Sequence, residues 1–516
     1  MKTCNNTRWK RDSSAFLIPI VIFVLLHIAR PWWIGFYHDD WTIFVEPSQL
    51  SSSDFRNFHL NTFKDRPLLA LILFGVSSLW ASNSTWAGHP AFMVVLASSF
   101  VAITALIFYF FLRRVESVAG VRGSAPALSV ALWIAIPWGL GYSLWPVSSI
   151  TTLTAQILFL SSSILFLDYM MKDGVWRVLG GVGALLASYL TYQSFYLAFV
   201  PVVVLLLSFK WHDSMIRKRA CYVLVLSGFV QLVCVLMALS VTGKSTAINM
   251  KLILANAGYF LPRAMAESFG YFWLLPLILL LALLACGFFI IKTFAGSDRR
   301  MFEFALVATL FGVVIGTLPF SAAGYVIQGL GTSSRTTIGA NIWICTAVAL
   351  VLMAASKFEL YLQRVGMISR ALIVSLTAAS VWQMTSWVHS WERQSKILSE
   401  FPYEFVRTMP EGGVLVLDEP PYINGVEVFA APWALSSAVY SDPKMVGYVG
   451  AATRPRIVPL YDDVIVSWDG RETLTLRPNM TVPAKSVWVF TPQKNLLRRI
   501  TSGGVLSAEK LSGMDR

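Results

Sequence analysis

The sequence predicts an all-α polytopic membrane protein of about eleven transmembrane helices, followed by a small α/β domain on the outer side. Three observations carry that prediction. Hydrophobic residues make up 56% of the chain and charged residues only 13%, about half the charged share of a typical soluble domain. Long apolar runs recur up to residue 388 and then stop. Lys and Arg are distributed unevenly over the loops between those runs, as the orientation rule for membrane helices requires.

In chain order, Lys2, Arg8, Lys10 and Arg11 precede a first apolar helix over about 14–36 and should hold the N-terminus in the cytoplasm. Residues 37–88 form the first outer loop. Within it, Arg66-Pro67 opens an apolar stretch to Trp80 that is too short to span comfortably. It reads as a re-entrant or interfacial helix with Pro67 in its first turn. Ten further spans are expected near 89–112, 125–142, 151–170, 175–190, 191–209, 220–242, 271–292, 302–320, 337–356 and 367–388. With residues 66–80 kept outside, the cytoplasmic segments collect nineteen Lys and Arg. The outer loops before residue 389 collect seven: Arg56, Lys64, Arg66, Lys244, Lys251, Arg263 and Arg335. The bias places the N-terminus inside and the C-terminus outside. The transmembrane body is thus 1–388 and the outer domain 389–516. That domain begins with a helix over Trp391–Met409 closed by Pro410, and carries buried strands at Val414–Leu417 and Val487–Phe490.

Several function classes fall away on composition. The net charge of +13 comes without a basic stripe interleaved with aromatics, so it reads as cytoplasmic loops and anionic-lipid contacts rather than nucleic-acid binding. Cys221, Cys234, Cys286 and Cys345 lie in apolar runs and Cys4 in the tail, with no CxxC pair; neither a disulfide framework nor a metal site is implied. No cleavable leader is expected, because the first apolar run is long and lacks a small-residue cleavage site. HExxH and GxSxG patterns and a glycine-rich phosphate loop are absent.

The residues left to carry chemistry lie on the expected outer face. Foremost is Tyr37-His38-Asp39-Asp40-Trp41, two adjacent carboxylates just past the first span. Such a pair costs free energy unless solvated, paired or in use; the plain alternative is an N-cap for the helix that Trp41 begins. Trp32, Trp33, Tyr37 and Trp41 also fit an interfacial aromatic belt. Arg66, Arg335 and Arg263 are candidates to grip a lipid phosphate with a planar fork. Snorkelling toward headgroups is the alternative, and for Arg263, with Lys244 and Lys251, it fits best. His38, Trp41, His59, Tyr192, Gln193 and Glu267 are the candidate sugar and acceptor contacts.

These residues resemble the GT-C superfamily of membrane glycosyltransferases, which take sugars from polyprenyl-phosphate donors. Its members carry one or two acidic residues in the first outer loop, matched here by Asp39-Asp40, and often an Arg-Pro-Leu helix in that loop. Arg66-Pro67-Leu68, Leu71, Phe74-Gly75 and Gly88-His89-Pro90 follow in similar order and spacing. The motif-level likeness covers about the first 115 residues, the rest being alike in architecture. It points toward bacterial enzymes that decorate cell-surface polysaccharide, such as O-antigen glucosyltransferases. Relatives often have Glu beside Tyr where Gln193 stands, which leaves an acid or metal role there unsupported.

The resemblance implies transfer of a sugar from a polyprenyl-phosphate donor to a polysaccharide or glycolipid acceptor, in a bacterial inner membrane with the C-terminus periplasmic. The chemistry asks for a base at the acceptor hydroxyl and positive charge for the departing phosphate. The expectation is an inverting transfer with Asp39 as general base and Asp40 positioning His38, an Arg or a divalent cation. The sequence weighs the two carboxylates nearly equally, and no cofactor is otherwise called for. An O-antigen polymerase or ligase is a second reading, but those proteins depend on large loops with paired Arg and His. A transporter or flippase of lipid-linked sugars is a third; it would place its ionisable residues near the bilayer midplane in repeated, broken helices.

Overall fold

The computed structural model describes residues 15–28, 34–45, 47, 52–82, 90–242, 250–294, 296–329, 331–410, 412–420, 422–424, 426–429, 432–445, 455–459, 465–468, 473–476, 480–483 and 486–499. The basic tail with Cys4, Trp32 and Trp33, Gly88-His89, Lys244, and the glycosylation-type sequons at Asn5, Asn83 and Asn479 lie outside them. The chain divides into two compact units. One comprises residues 1–31, 63–72 and 93–384, the other 32–62, 73–92 and 385–516.

The first unit is helical. Among the described residues of the chain, eight helices are long and apolar enough to cross a membrane: Ala91–Val118, Pro146–Lys172, Gln193–Lys210, Ser214–Ala238, Leu274–Lys292, Asp298–Ala322, Ser333–Ala355 and Tyr361–Glu400. A ninth span is made if Ala125–Ala135 and Pro137–Ser143, bent by 69°, are counted together. The expected straight span over 125–142 is therefore broken. Ile136 is extended (φ −65°, ψ 114°), as the residue before a proline prefers, and Pro137 cannot donate back into the preceding turn. Ala15–Ile28, Pro67–Trp80 and Val175–Thr191 are shorter apolar helices.

Small residues let the helices of this unit close up. The helix Ile338–Ala355 is buried throughout. A methyl group added at Gly316 would lie 2.4 Å from the Ala340 nitrogen, and one at Gly339 2.6 Å from the Gly316 oxygen, so the two backbones touch. With lipid outside as apolar as the side chains inside, such close approach and hydrogen bonding between helices replace the hydrophobic drive. Asn341 on the buried helix is the centre of a network. Trp138 Nε1 donates to its Oδ1 at 2.8 Å, while its Nδ2 donates to Tyr142 Oη at 3.0 Å and Thr337 Oγ1 at 2.9 Å. Asn341→Leu takes this partner from Trp138 Nε1 and Tyr142 Oη in the interior, while Thr337 Oγ1 keeps its bonds to the Trp138 and Ser334 carbonyls. It is expected to lower stability by about 2 kcal/mol, measured as thermal unfolding of the purified protein in detergent.

Two further departures from the sequence reading concern helix length. Residues 243–270, expected as loop, contain the helix Met250–Phe269. Lys251, Asn256, Arg263 and Glu267 break its apolar pattern. Asn256 is nonetheless buried and bonded, its Nδ2 donating to Ser321 Oγ at 2.8 Å and to the Tyr325 carbonyl at 2.9 Å. The expected span 367–388 and the helix from Trp391 are one 42-residue helix, Glu359–Glu400. It stops short of Met409 because Pro402 lies just beyond, and a separate helix, Tyr403–Thr408, follows.

The second unit is built on a four-stranded sheet. Its strands in the chain are β1 (Val414–Leu417), β2 (Tyr422–Ile423), β3 (Val426–Glu427), β4 (Arg456–Pro459), β5 (Ile465–Trp468), β6 (Thr473–Leu476), β7 (Met480–Pro483), β8 (Val487–Thr491) and β9 (Leu496–Arg499). The main sheet runs β4-β1-β8-β9, with β1 parallel to both neighbours and β9 antiparallel to β8. All four residues of β1 are buried, which is why the strand reads as an unbroken apolar run rather than an alternation. β2 and β3 form a small hairpin, and β5-β6-β7 a three-stranded meander. The helix Pro432–Tyr440 lies against β4, Ser436 Oγ donating to the Ile457 carbonyl at 2.9 Å. Arg393, on the long helix, grips Glu419 just past β1 with two parallel bonds of 2.5 and 2.6 Å, a fork that fixes orientation as well as distance.

Candidate functional site

The Asp pair sits in the second unit, in a turn that the sequence makes for itself. Residues 34–37 belong to no regular element, and the chain then turns into a short π-helix, Trp41–Val45. Asp40 N–H donates to the Tyr37 carbonyl at 2.9 Å, and Tyr37 N–H donates to Asp40 Oδ2 at 2.9 Å. This is the reciprocal closure of a capping box, with Asp40 reaching back three residues. Asp40 is wholly buried. The sequence placed it near His38, but its carboxylate is turned into the backbone of the turn.

Aromatic packing locks that turn. Tyr37 Oη donates to the Trp387 carbonyl at 2.7 Å. Burial, with the Asp40 charge adding to it, pushes this phenol well above its ordinary pKa. Trp41 lies parallel to Trp391 with ring centres 6.0 Å apart, and its Nε1 donates to Gln394 Oε1 at 3.1 Å. It is buried; the sugar-stacking role expected of Trp41 has no open ring face to use. Gly35 allows this arrangement. A methyl group there would lie 2.0 Å from the Trp391 ring, so only glycine lets the chain pass.

His38 and Asp39 face another way. His38 adopts φ +46°, a left-handed backbone that non-glycine residues hold only when their surroundings demand it. Its Nδ1 is 2.6 Å from Glu427 Oε2 on β3, and its Nε2 is 3.4 Å from Asp39 Oδ1. Trp433 Nε1 donates to the same Asp39 oxygen at 3.0 Å. The Trp433 ring meets the His38 ring edge-on at 5.4 Å. The Asp39 side chain is 32% exposed and Trp433 51%. Behind them, the Glu427 carbonyl accepts from Gln394 Nε2 at 3.4 Å and from Ser390 Oγ. An open carboxylate steered by an indole N–H, flanked by an imidazole and an exposed indole face, can accept a proton from a bound hydroxyl and stack a sugar ring. Glu427 and Trp433 do not stand out in the sequence: each is a single residue, on a two-residue strand and a nine-residue helix, about 390 positions from its partner.

His59 belongs to the same unit but not to this cluster. It lies on the helix Ser52–Thr62, fully buried, edge-on to Phe55 at 5.0 Å and Phe58 at 5.3 Å and near Phe74. Neither ring nitrogen has a hydrogen-bond partner among the described residues. So placed, it offers a sugar no surface, contrary to the sequence reading. Burial lowers its pKa from 6.5 to about 4. The unfolded chain therefore takes up a proton below pH 6.5 that the folded one refuses until about 4, so this residue makes stability fall as pH drops through that window. His59→Phe is expected to flatten that part of a Tm-against-pH curve while leaving Tm at pH 8 nearly unchanged.

The remaining candidates lie in the first unit. Arg66 Nε is 3.3 Å from Asp65 Oδ2, and its guanidinium stands over the rings of Phe63 and Tyr192 at 5.6 and 5.8 Å. Gln193 opens the 3-10 turn Gln193–Phe195. Arg263 Nε donates to Glu267 Oε1 at 2.8 Å, one helical turn on, and Glu267 Oε2 accepts from Gly329 N–H. Those two are thus partners in a structural pair, where the sequence assigned them to phosphate and to sugar. Arg335 lies on the turn Thr332–Thr337 with its guanidinium 4.7 Å from the centre of the Trp145 ring. Ser334 beside it accepts the Gly141 N–H at 2.8 Å.

The structure thus brings His38 and Asp39 together with Glu427 and Trp433, and Arg66 together with Tyr192. Arg335 and His59 stand in surroundings of their own. Among the described residues no group of three or more His, Cys, Asp or Glu is arranged to hold a metal ion. No protein-family model matches the chain, and no curated protein matches it. What the chain shows by itself is a polytopic helical membrane protein with a small α/β unit that carries an open carboxylate.

Proposed function

We propose that this protein is a membrane glycosyltransferase of the GT-C kind, moving a sugar from a polyprenyl-phosphate donor to a polysaccharide or glycolipid on the outer side. The observation that carries the proposal is the difference between the two carboxylates. Asp40 is buried in its own turn, whereas Asp39 is open and steered by Trp433 Nε1–H. A carboxylate with that exposure suits a general base. In the reaction, the acceptor hydroxyl oxygen attacks the anomeric carbon and its proton passes to Asp39. The bond from that carbon to the phosphate oxygen breaks, the electron pair leaving with the polyprenyl phosphate. Exposed Trp433 supplies the stacking face.

Adding the short apolar helices Ala15–Ile28 and Val175–Thr191 to the nine spans gives eleven. With eleven, the larger set of basic residues, nineteen against seven before residue 389, falls on the cytoplasmic side and the Asp39 turn on the outer side of a bacterial inner membrane. The test is to supply membranes containing the protein with labelled polyprenyl-phosphate sugars. Label arriving in polysaccharide or glycolipid supports the proposal. Label that crosses the bilayer still attached to its lipid, with no transfer, assigns the protein to transport instead.

A further inference from the structure

Glu427 lies 389 positions after His38 in the chain, yet the two side chains meet at 2.6 Å. Two carboxylates, Asp39 at 3.4 Å and Glu427 at 2.6 Å, flank the two nitrogens of one imidazole. A carboxylate oxygen near each nitrogen puts negative charge on both sides of the ring, which suits the imidazolium form. Coulomb attraction from both sides favours the same form. The arrangement is also held from behind. The Glu427 carbonyl is bonded by Gln394 and Ser390, and Gln394 in turn accepts from Trp41. Strain at His38, with φ +46°, marks a residue whose backbone is set by where its ring must go. The other carboxylate of the turn, Asp40, is directed at the Tyr37 N–H.

We infer that Glu427 is a positioning residue that keeps His38 charged and aimed, so that His38 and Trp433 together hold Asp39 oriented toward the acceptor. The inference rests on the glycosyltransferase reading for its consequence but not for its geometry. Glu427 acts through His38 and touches no reacting atom. It contributes a fixed negative charge to the far nitrogen, as the buried carboxylate does behind the histidine of a hydrolase triad.

The test separates the inference from the reading it extends. In full-length protein labelled at histidine and reconstituted in nanodiscs, the His38 resonance is assigned by its loss in His38→Asn. Glu427→Gln is expected to lower the His38 titration midpoint by about one pH unit or more, with Glu427→Asp intermediate and the fold unchanged by thermal melting. In transfer assays the same Gln variant is expected to lower kcat about tenfold with donor KM unchanged. An unmoved His38 midpoint in a folded Glu427→Gln protein overturns the inference, whatever the activity. A midpoint that moves while Asp39→Asn retains full transfer leaves the charged dyad standing and overturns the glycosyltransferase reading.

Discussion

Asp39→Asn is expected to reduce sugar transfer by at least ~100-fold in kcat, the lower end of what a lost general base costs, with the protein folded and donor binding intact. Asparagine keeps the size of the side chain and still accepts from Trp433 Nε1, so only the proton-accepting charge is removed. Asp40→Asn is expected to keep most of its activity. Its amide oxygen can replace Oδ2 as the acceptor of the Tyr37 N–H. Asp40→Ala removes that acceptor and leaves a buried donor unsatisfied, a loss of about 1 kcal/mol in stability, as for other lost caps. Transfer rates and thermal melts of the three variants at matched expression check all of this. Equal loss in both Asn variants would show that the buried carboxylate also takes part.

Gly35→Ala is expected to be the most damaging single methyl group in the second unit. The added carbon would lie 2.0 Å from the Trp391 ring, and that ring cannot move aside cheaply. It stacks on Trp41 and meets Phe36 edge-on at 6.4 Å. Overpacking of this kind costs about 1–3 kcal/mol, and here the strain falls on the turn that presents His38 and Asp39. The expected result is a lower Tm and reduced transfer together. Gly35→Ala combined with Trp391→Leu should melt higher than the additive sum of the two single changes, since the smaller side chain makes room for the methyl group. Strict additivity would mean that the two residues do not share this contact.

Much of the fold is legible in the sequence because a membrane makes few demands and makes them strongly. Apolar runs of span length announce the helices, and the four buried residues of β1 announce the sheet. The misreadings share a cause: local signals lost to tertiary context. Met250–Phe269 reads as loop because its polar residues spoil the apolar window, though Asn256 satisfies its hydrogen bonds inside. The bend at Ile136-Pro137 lay hidden inside a uniformly apolar stretch.

The site divides in the same way. His38 and Asp39 are conspicuous because carboxylates beside an apolar span call for a reason. Nothing local distinguishes the neighbour at Asp40, and only its place in the turn shows it to be the structural member of the pair. Glu427 and Trp433 were silent because they act across hundreds of residues, where no period or spacing reaches. Trp41 looked like a sugar platform because an aromatic near a membrane surface is a platform only if its face stays open; Trp391 covers it.

The most direct measurement is release of polyprenyl phosphate in proteoliposomes containing only the purified protein, a defined polyprenyl-phosphate sugar and a candidate acceptor. The account predicts release matched one for one by glycosylated acceptor with wild type, and neither product with Asp39→Asn. A donor that stays intact with wild type across the full range of sugars and acceptors, while appearing in the opposite leaflet, would contradict the account and make the protein a carrier of lipid-linked sugar.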